Sequence, residues 1–268
     1  MIKAVFCLVL ILTLFTAGAC HARVGSVIST FSPWHNYREV VDTIYRDGEF
    51  VYGVVRDETK PWTAIYKYTP SGSFVAGGPG LDPYGSYGDT DHSTLGSGCF
   101  SVVFDGNTVQ DIDLLSGSVV NSWAPFSGIK GYAYIPGGRY KYVSDGNCVY
   151  RYTAGGSLAS SFFVPAGVSS VSATGAFCGQ KGEYIVVTKD ADATVFNTSG
   201  KQVTKFRLPK FSIKNFSSVC GVGYPAECGT TFWCLEAIYY GVYVCQISIG
   251  NGVAVEPASV GKIKALFR

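Results

Sequence analysis

Histidine, methionine and charge are all scarce in this chain. It has three His, one Met (the initiator) and only 15% charged side chains in 268 residues. Only His35 and His92 lie beyond the N-terminal region, which excludes a site built of several imidazoles. Any Ser-His-Asp relay would have to use one of those two. His35, in "SPWHNYRE", reads as part of the link into the first repeat. No G-x-S-x-G elbow, phosphate-binding P-loop or H-E-x-x-H pair occurs. The formal net charge of +2 creates no strong field, so neither nucleic acid nor an acidic membrane surface is an expected partner. One long apolar run exists, Ala4 to Phe15, behind a single Lys and ahead of small residues. It is short for a membrane-spanning helix, which needs roughly 20 apolar residues, and has the layout of a signal peptide.

That N-terminal segment sets the expected organisation: a signal peptide over 1–22, a folded domain over 23–258 and a short basic tail over 259–268. Cleavage after Ala22 would release a secreted chain with no transmembrane segment. The competing exit is "AGAC", a lipobox-like stretch that would make Cys20 a lipid anchor, although Ala17 stands where Leu is usual. Either route leads to a secreted or cell-envelope location, extracellular or periplasmic. Seven cysteines follow, and four of them, Cys220, Cys228, Cys234 and Cys245, crowd into one segment. An oxidising compartment makes these four candidates for disulfides, and their spacing lacks the C-x-x-C pairs of zinc ribbons.

What the chain has in quantity is glycine, 33 residues, and aromatics, 15%. A short marker recurs: "SGS" at 71–73 and 116–118, "GGS" at 155–157 and "SGK" at 199–201, with weaker forms at 24–26 and 249–252. The central glycines, 25, 72, 117, 156, 200 and 250, are spaced by 47, 45, 39, 44 and 50 residues. A period in the forties is that of repeats with four strands each. Alternating strands flank every marker: "AIYKYT", "VQDIDL", "CVYRYT" and "ATVFNT" before it, "SFVAG", "SVVNSW", "SLASSF" and "KQVTKF" after it. Two strands joined by a Gly turn are a β-hairpin. Two further strands precede each hairpin, the first rich in Gly and Ser. Four-stranded sheets that cannot bury both faces alone stack radially into a ring. The expected fold is therefore all-β, a β-propeller of five blades over roughly 37–256, with six as the alternative. "GSVISTFSP" (25–33) resembles the outer strands but has no blade before it, so it is expected to close the ring by completing the last blade.

The "YxYTxxGSxxxSF" hairpin resembles repeats of secreted bacterial propellers related to the NHL, YncE-like and PQQ-repeat groups. "VQDIDLLSGSVVNSW" (109–123) is similar to a PQQ-type repeat, with Asp113 ahead of the turn and Trp123 closing the outer strand. The resemblance implies a propeller and carries over no catalytic residue. A quinone-dependent oxidoreductase is not expected, since of the four Trp only Trp123 sits at the docking position.

The segment that departs most from the repeat is 77–98, read as a long solvated loop between two blades. It gathers Asp82, Tyr84, Tyr87, Asp89, Asp91 and His92, the candidate ligand-binding residues. Asp82, Asp89 and Asp91 could supply oxygens to Ca²⁺, the one cofactor under consideration; Tyr84 and Tyr87 could stack on a sugar or a peptide. The function expected is a non-enzymatic binding or scaffold module for a protein or glycan. The alternative is a carbohydrate-active hydrolase or lyase using two carboxylates at the channel mouth. Acids that recur at the repeat period, such as Asp113 and Asp145, are expected in turns; acids serving catalysis would break the repeat.

Overall fold

The computed structural model describes residues 27–31, 39–207 apart from 48–49, 58–60, 70, 83, 97, 178–179 and 191, and strands within 215–248. Side chains are described from 41 to 207, with Arg46, Asp47, Ala176 and Lys181 excepted. The described residues form strands and turns and contain no helix.

The chain opens with β1 (Val27–Phe31). Four blades follow, each made of consecutive antiparallel strands. Blade 1 holds β2 (Glu39–Asp47), β3 (Phe50–Asp57), β4 (Trp62–Tyr68) and β5 (Phe74–Gly80). Blade 2 holds β6 (Tyr87–His92), β7 (Cys99–Phe104), β8 (Thr108–Asp113) and β9 (Val119–Trp123). Blade 3 holds β10 (Gly131–Tyr134), β11 (Tyr140–Ser144), β12 (Cys148–Thr153) and β13 (Leu158–Phe163). Blade 4 holds β14 (Ser170–Phe177), β15 (Gln180–Lys189), β16 (Asp192–Asn197) and β17 (Gln202–Arg207). A last four-stranded sheet is composite: β18 (Asn215–Gly221), β19 (Thr231–Ile238) and β20 (Gly241–Ser248), with β1 on the far side of β20. Val27 lies opposite Ile247 and Phe31 opposite Val244, so the N-terminal strand supplies the outer edge that the C-terminal hairpin lacks. The expectation of five or six blades thus resolves into four blades continuous in sequence and one composite sheet drawn from both ends. The segments 1–22 and 259–268, His35 and Cys228 lie outside the described residues. The side chains of Cys220, Cys234 and Cys245 do so as well.

The recurring marker is the turn between the third and fourth strands. In each blade the first turn residue accepts a backbone bond from the central glycine: Gly72 to Thr69, Gly117 to Asp113, Gly156 to Thr153 and Gly200 to Asn197, at 2.8–3.0 Å. The glycines have φ of +90°, +70°, +89° and +78°, which side-chain-bearing residues rarely adopt. The first turn residue also caps the loop with its own side chain; Asp113 Oδ1 accepts from the N–H groups of Leu115 and Ser116 at 3.0 and 2.7 Å. A second demand on the glycine comes from the preceding blade. A Cβ on Gly200 would overlap Phe162, and one on Gly156 would lie 3.3 Å from Trp123 Nε1. An aromatic residue at or next to the end of each of these outer strands, Trp123 of β9 and Phe162 of β13, rests on the next blade's turn.

The core lies between blades. Tyr45, Val54 and Ile65 of blade 1 pack on Phe100, Val102 and Ile112 of blade 2. Val103 and Val109 meet Tyr132 and Val143 of blade 3, and Tyr142 and Val149 meet Val171, Ile185 and Val187 of blade 4. Each fully buried large side chain contributes about 1.5–3 kcal/mol of hydrophobic stabilisation, so blade-to-blade burial dominates the fold. The first strands form the inner wall and carry small buried hydroxyls, Thr43, Thr90, Ser170, Ser172 and Thr174, as the Gly/Ser bias implied. These strands run in the same direction: Thr43 pairs with Thr90 and Tyr45 with His92 across one contact, and Asp89 reaches Tyr132 and Asp91 Tyr134 across the next. The turns therefore sort onto two faces. Blade-to-blade crossovers and second-to-third turns share one, here the crossover face; first-to-second and third-to-fourth turns share the other, here the hairpin face.

Candidate functional site

The stretch 77–98 is not one loop. β5 extends through Gly80 and β6 occupies Tyr87–His92, which leaves a crossover of residues 81–86. The six candidate residues divide accordingly, and the structure does not bring them together. Asp82 and Tyr84 are exposed on the crossover, with Tyr84 44% accessible. Tyr87, Asp89, Asp91 and His92 are buried on the inner strand. Among the described residues no three His, Cys, Asp or Glu side chains meet as a metal cluster, and Asp82, Asp89 and Asp91 do not form the oxygen cage expected of them.

Period-two alternation gives β6 two working faces. Its even-numbered side chains face blade 1: Thr90 Oγ1 donates to the Ile44 carbonyl at 2.5 Å, and His92 Nδ1 lies 2.9 Å from the Tyr45 hydroxyl. Between and beyond them, Asp89 and Asp91 aim carboxylates at blades 3 and 4. Asp89 Oδ2 accepts from the N–H of Val171 at 2.9 Å and of Tyr132 at 3.2 Å, while Oδ1 accepts from Ser170 Oγ at 2.8 Å. Asp91 Oδ2 accepts from Tyr134 N–H at 3.2 Å and Oδ1 from His92 N–H at 2.7 Å. Tyr132 and Tyr134 are alternate residues of β10, whose N–H groups on that side have no neighbouring strand. The carboxylates thus satisfy an inner edge that would otherwise be buried and unpaired. Gly131 and Asp89 fit closely, since a Cβ on Gly131 would approach Asp89 Oδ2 to 3.0 Å.

Burial raises Asp89 well above the usual carboxylate range, against the lowering pull of Val171, Ser170, Tyr132 and Thr90. Burial does the same to Asp91, opposed by the N–H groups of His92 and Tyr134 and reinforced by the neighbouring Asp89 charge. His92 is lowered to about 4 by burial. At 3% and 2% accessible, Asp89 and Asp91 break the repeat and are buried.

A third buried acid, Asp111 on β8, completes the unusual chemistry of blade 2. Oδ1 accepts from Ser93 Oγ at 2.8 Å and from Ser101 Oγ, and Oδ2 accepts from Asn121 Nδ2 at 2.7 Å. Lys141 of blade 3 sits near it, its Nζ 4.8 Å from the Trp123 ring centre. Burial lowers the Lys141 amine and the Asp111 charge raises it.

The surface that gathers exposed polar and aromatic groups is the crossover face between blades 1 and 2. Arg56 grips Asp42 with two nitrogens, Nε to Oδ2 and Nη2 to Oδ1, both at 3.1 Å. Asp42 raises the guanidinium above its ordinary value, burial opposes this, and the Tyr84 hydroxyl adds to the rise. Tyr87 beneath is pushed up to about 12, chiefly by burial and then by Asp82, Asp105 and Asp42. Ser86 and Asp105 fix the loop: Ser86 N–H donates to Asp105 Oδ1, and Asp105 N–H to the Ser86 carbonyl, each at 2.8 Å. Sequence reading missed Asp42, Arg56, Asp105 and Asp111 as members of these clusters. The signal was there for Asp42, a charge set inside the β-branched run "EVVDTIY".

No protein-family model matches the chain, and no curated protein does. Solved structures do resemble it. One, of BBS1N in complex with ARL6DN and soaked with mercury, has a TM-score of 0.44 at 14% identity, covering 80% of this chain and 66% of that one. Another, of the Mitotic Checkpoint Complex, has a TM-score of 0.45 at 12% identity, covering 79% and 62%. The chain spans under two thirds of the length of each of these matches.

Proposed function

We propose that this chain is a secreted or envelope binding module that holds a protein ligand on the crossover face between blades 1 and 2, with a glycan as the other ligand class to test. The observation that carries the reading is the exposed Tyr84 on a loop fixed by the Ser86–Asp105 exchange, beside the Arg56–Asp42 pair. A rigid aromatic next to a charged pair offers contact area at low entropic cost. Kinship with NHL, YncE-like or PQQ-repeat propellers is part of this proposal, as is export. The hydrolase alternative gains nothing from Asp89 and Asp91, whose oxygens are enclosed and committed to N–H and hydroxyl donors.

The test is a binding screen of the protein against exported-protein and glycan panels, repeated with Tyr84→Ala. Support is a ligand whose affinity falls at least about tenfold in Tyr84→Ala while the melting temperature stays unchanged. Ligands indifferent to Tyr84, or turnover of a glycan, would overturn it.

A further inference from the structure

Blade 3 breaks the repeat at one buried position. The residue just before each third-to-fourth turn, Tyr68, Ile112, Tyr152 or Phe196, has a register partner on the second strand. In blades 1, 2 and 4 that partner is Val51, Phe100 and Ile185, each no more than 1% accessible. In blade 3 it is Lys141, which pairs with Tyr152 on one side and Tyr134 on the other. Lys141 is 6% accessible, so an amine stands where three other blades place core hydrocarbon. Tyr134 and Tyr152 belong to the core between blades 2 and 3, and the Lys141 side chain enters the same interface to rest on the Trp123 ring.

Facing it, blade 2 departs from the repeat as well. Ser101, Asp111 and Asn121 are register partners across β7, β8 and β9, beside the row of Val103, Val109 and Trp123 that packs on blade 3. The counterparts of Asn121 on the outer strands of blades 1, 3 and 4 are Ala76, Ser160 and Thr204, so among these four strands only β9 places a carboxamide there. Asn121 is exposed along the rim, but its amide turns inward, Nδ2 donating to Asp111 Oδ2 at 2.7 Å. The Ser93 and Ser101 hydroxyls occupy Oδ1 and leave Oδ2 to that amide. Asn121 therefore has Asp111 beside it across the strands and Trp123 beside it along its own strand, two positions on and on the same face. Lys141 Nζ is 4.8 Å from the centre of one of these neighbours and within the field of the other.

We propose that Lys141 and Asn121 form an intramolecular amide cross-link between blades 3 and 2, with Asp111 as proton carrier. The neutral Nζ adds its lone pair to Asn121 Cγ, and the new C–N bond forms. Nζ gives up a proton to the Asp111 carboxylate, which passes it to Nδ2; the Cγ–Nδ2 bond breaks and ammonia leaves. The step consumes no outside reagent. Burial favours the neutral amine, lowering Lys141 against the raising effect of Asp111. A covalent link between neighbouring blades constrains the unfolded chain as a disulfide does, without an oxidant. This inference goes beyond the binding reading and stands without it.

The experiment is the intact mass of the full chain under denaturing, reducing conditions, beside the variants Lys141→Met and Asp111→Asn. Lys141→Met restores the apolar side chain that the other blades carry. After allowance for each substitution, the wild type is expected to be lighter than both variants by one ammonia. Its proteolytic digest should contain a branched peptide joining residues 121 and 141. A wild-type mass equal to the variants', a loss of water in place of ammonia, or a branch at another lysine would each overturn the proposal. Should a variant fail to fold, the wild-type digest decides by itself, because linear peptides carrying unmodified Asn121 and Lys141 overturn it equally.

Discussion

Blades 2 and 3 have the same four strands and the same turns, yet their inner strands work in opposite senses. β10, "GYAY", offers backbone N–H groups along its inner edge; β6, "YGDTDH", offers side-chain acceptors to receive them. The difference shows how a ring of degenerate repeats acquires a unique arrangement. Hydrophobic packing between blades is much alike from one interface to the next. The carboxylates of β6 fit only neighbours that present free N–H groups at the right height.

The sharpest break of this asymmetry is Asp89→Ala. It strands the N–H groups of Val171 and Tyr132 and the Ser170 hydroxyl inside the ring. Each buried donor left unmet costs about 1–3 kcal/mol, so a loss of about 4 kcal/mol is expected in urea unfolding. Removing one donor, by Ser170→Ala, should cost only about 1 kcal/mol. Similar losses from the two variants would mean that Asp89 is a space-filler rather than an acceptor.

The pH dependence separates the two faces of β6. His92 is lowered from 6.5 to about 4, so the native state favours its neutral form. Its contribution is complete above 6.5 and is lost as pH falls towards 4, about 3 kcal/mol in all. Asp89 and Asp91 are raised, which gives the opposite sign: their contribution is complete below the ordinary carboxylate value and lost as pH climbs through the raised one. Unfolding free energies from pH 4 to 8 should therefore show less acid sensitivity in His92→Gln and a shallower decline toward neutral pH in Asp89→Asn. Parallel profiles for the wild type and both variants would contradict the assignment.

The third comparison is between two turn glycines. Gly200 has φ of +78° and Phe162 of the preceding blade against it; Gly137 has φ of +74° and open space around it. Gly137→Ala should cost about 1 kcal/mol for backbone strain alone, and Gly200→Ala about 2–3 kcal/mol because Phe162 must also move. Equal costs would show that Phe162 yields freely.

The hairpins were legible in the sequence because a two-strand unit with a Gly turn is a local signal, repeated at Thr69, Asp113, Thr153 and Asn197. The same locality made β1 recognisable, since "GSVISTFSP" carries the outer-strand pattern without a partner upstream. β6 was not legible. Asp and Gly are poor strand formers, and "GDTDH" reads as a solvated loop until its acceptors are matched with donors 43 and 82 residues away. Two of the three acids that suggested calcium are thus the latches of the inner ring. The Arg56–Asp42 pair was hidden for a related reason: its members lie on different strands, and only the crossover adds Tyr84 to them.

Calcium is the smallest expected effect and a direct check of that reinterpretation. To ligate a cation, Asp89 would have to release the donors on both of its oxygens, and Asp82 would have to travel from the exposed crossover to the inner strand. A calcium ion needs six to eight oxygens, and binding at one hundred times the dissociation constant would stabilise the fold by about 2.7 kcal/mol. The cost of freeing Asp89 alone, about 4 kcal/mol by the figure for Asp89→Ala, would raise the calcium dissociation constant about a thousandfold and put that occupancy out of reach at millimolar calcium. Thermal unfolding with millimolar calcium and with chelator should therefore coincide. A calcium-dependent rise that Asp82→Ala and Asp91→Ala both abolish would show instead that the crossover and β6 rearrange into a common site.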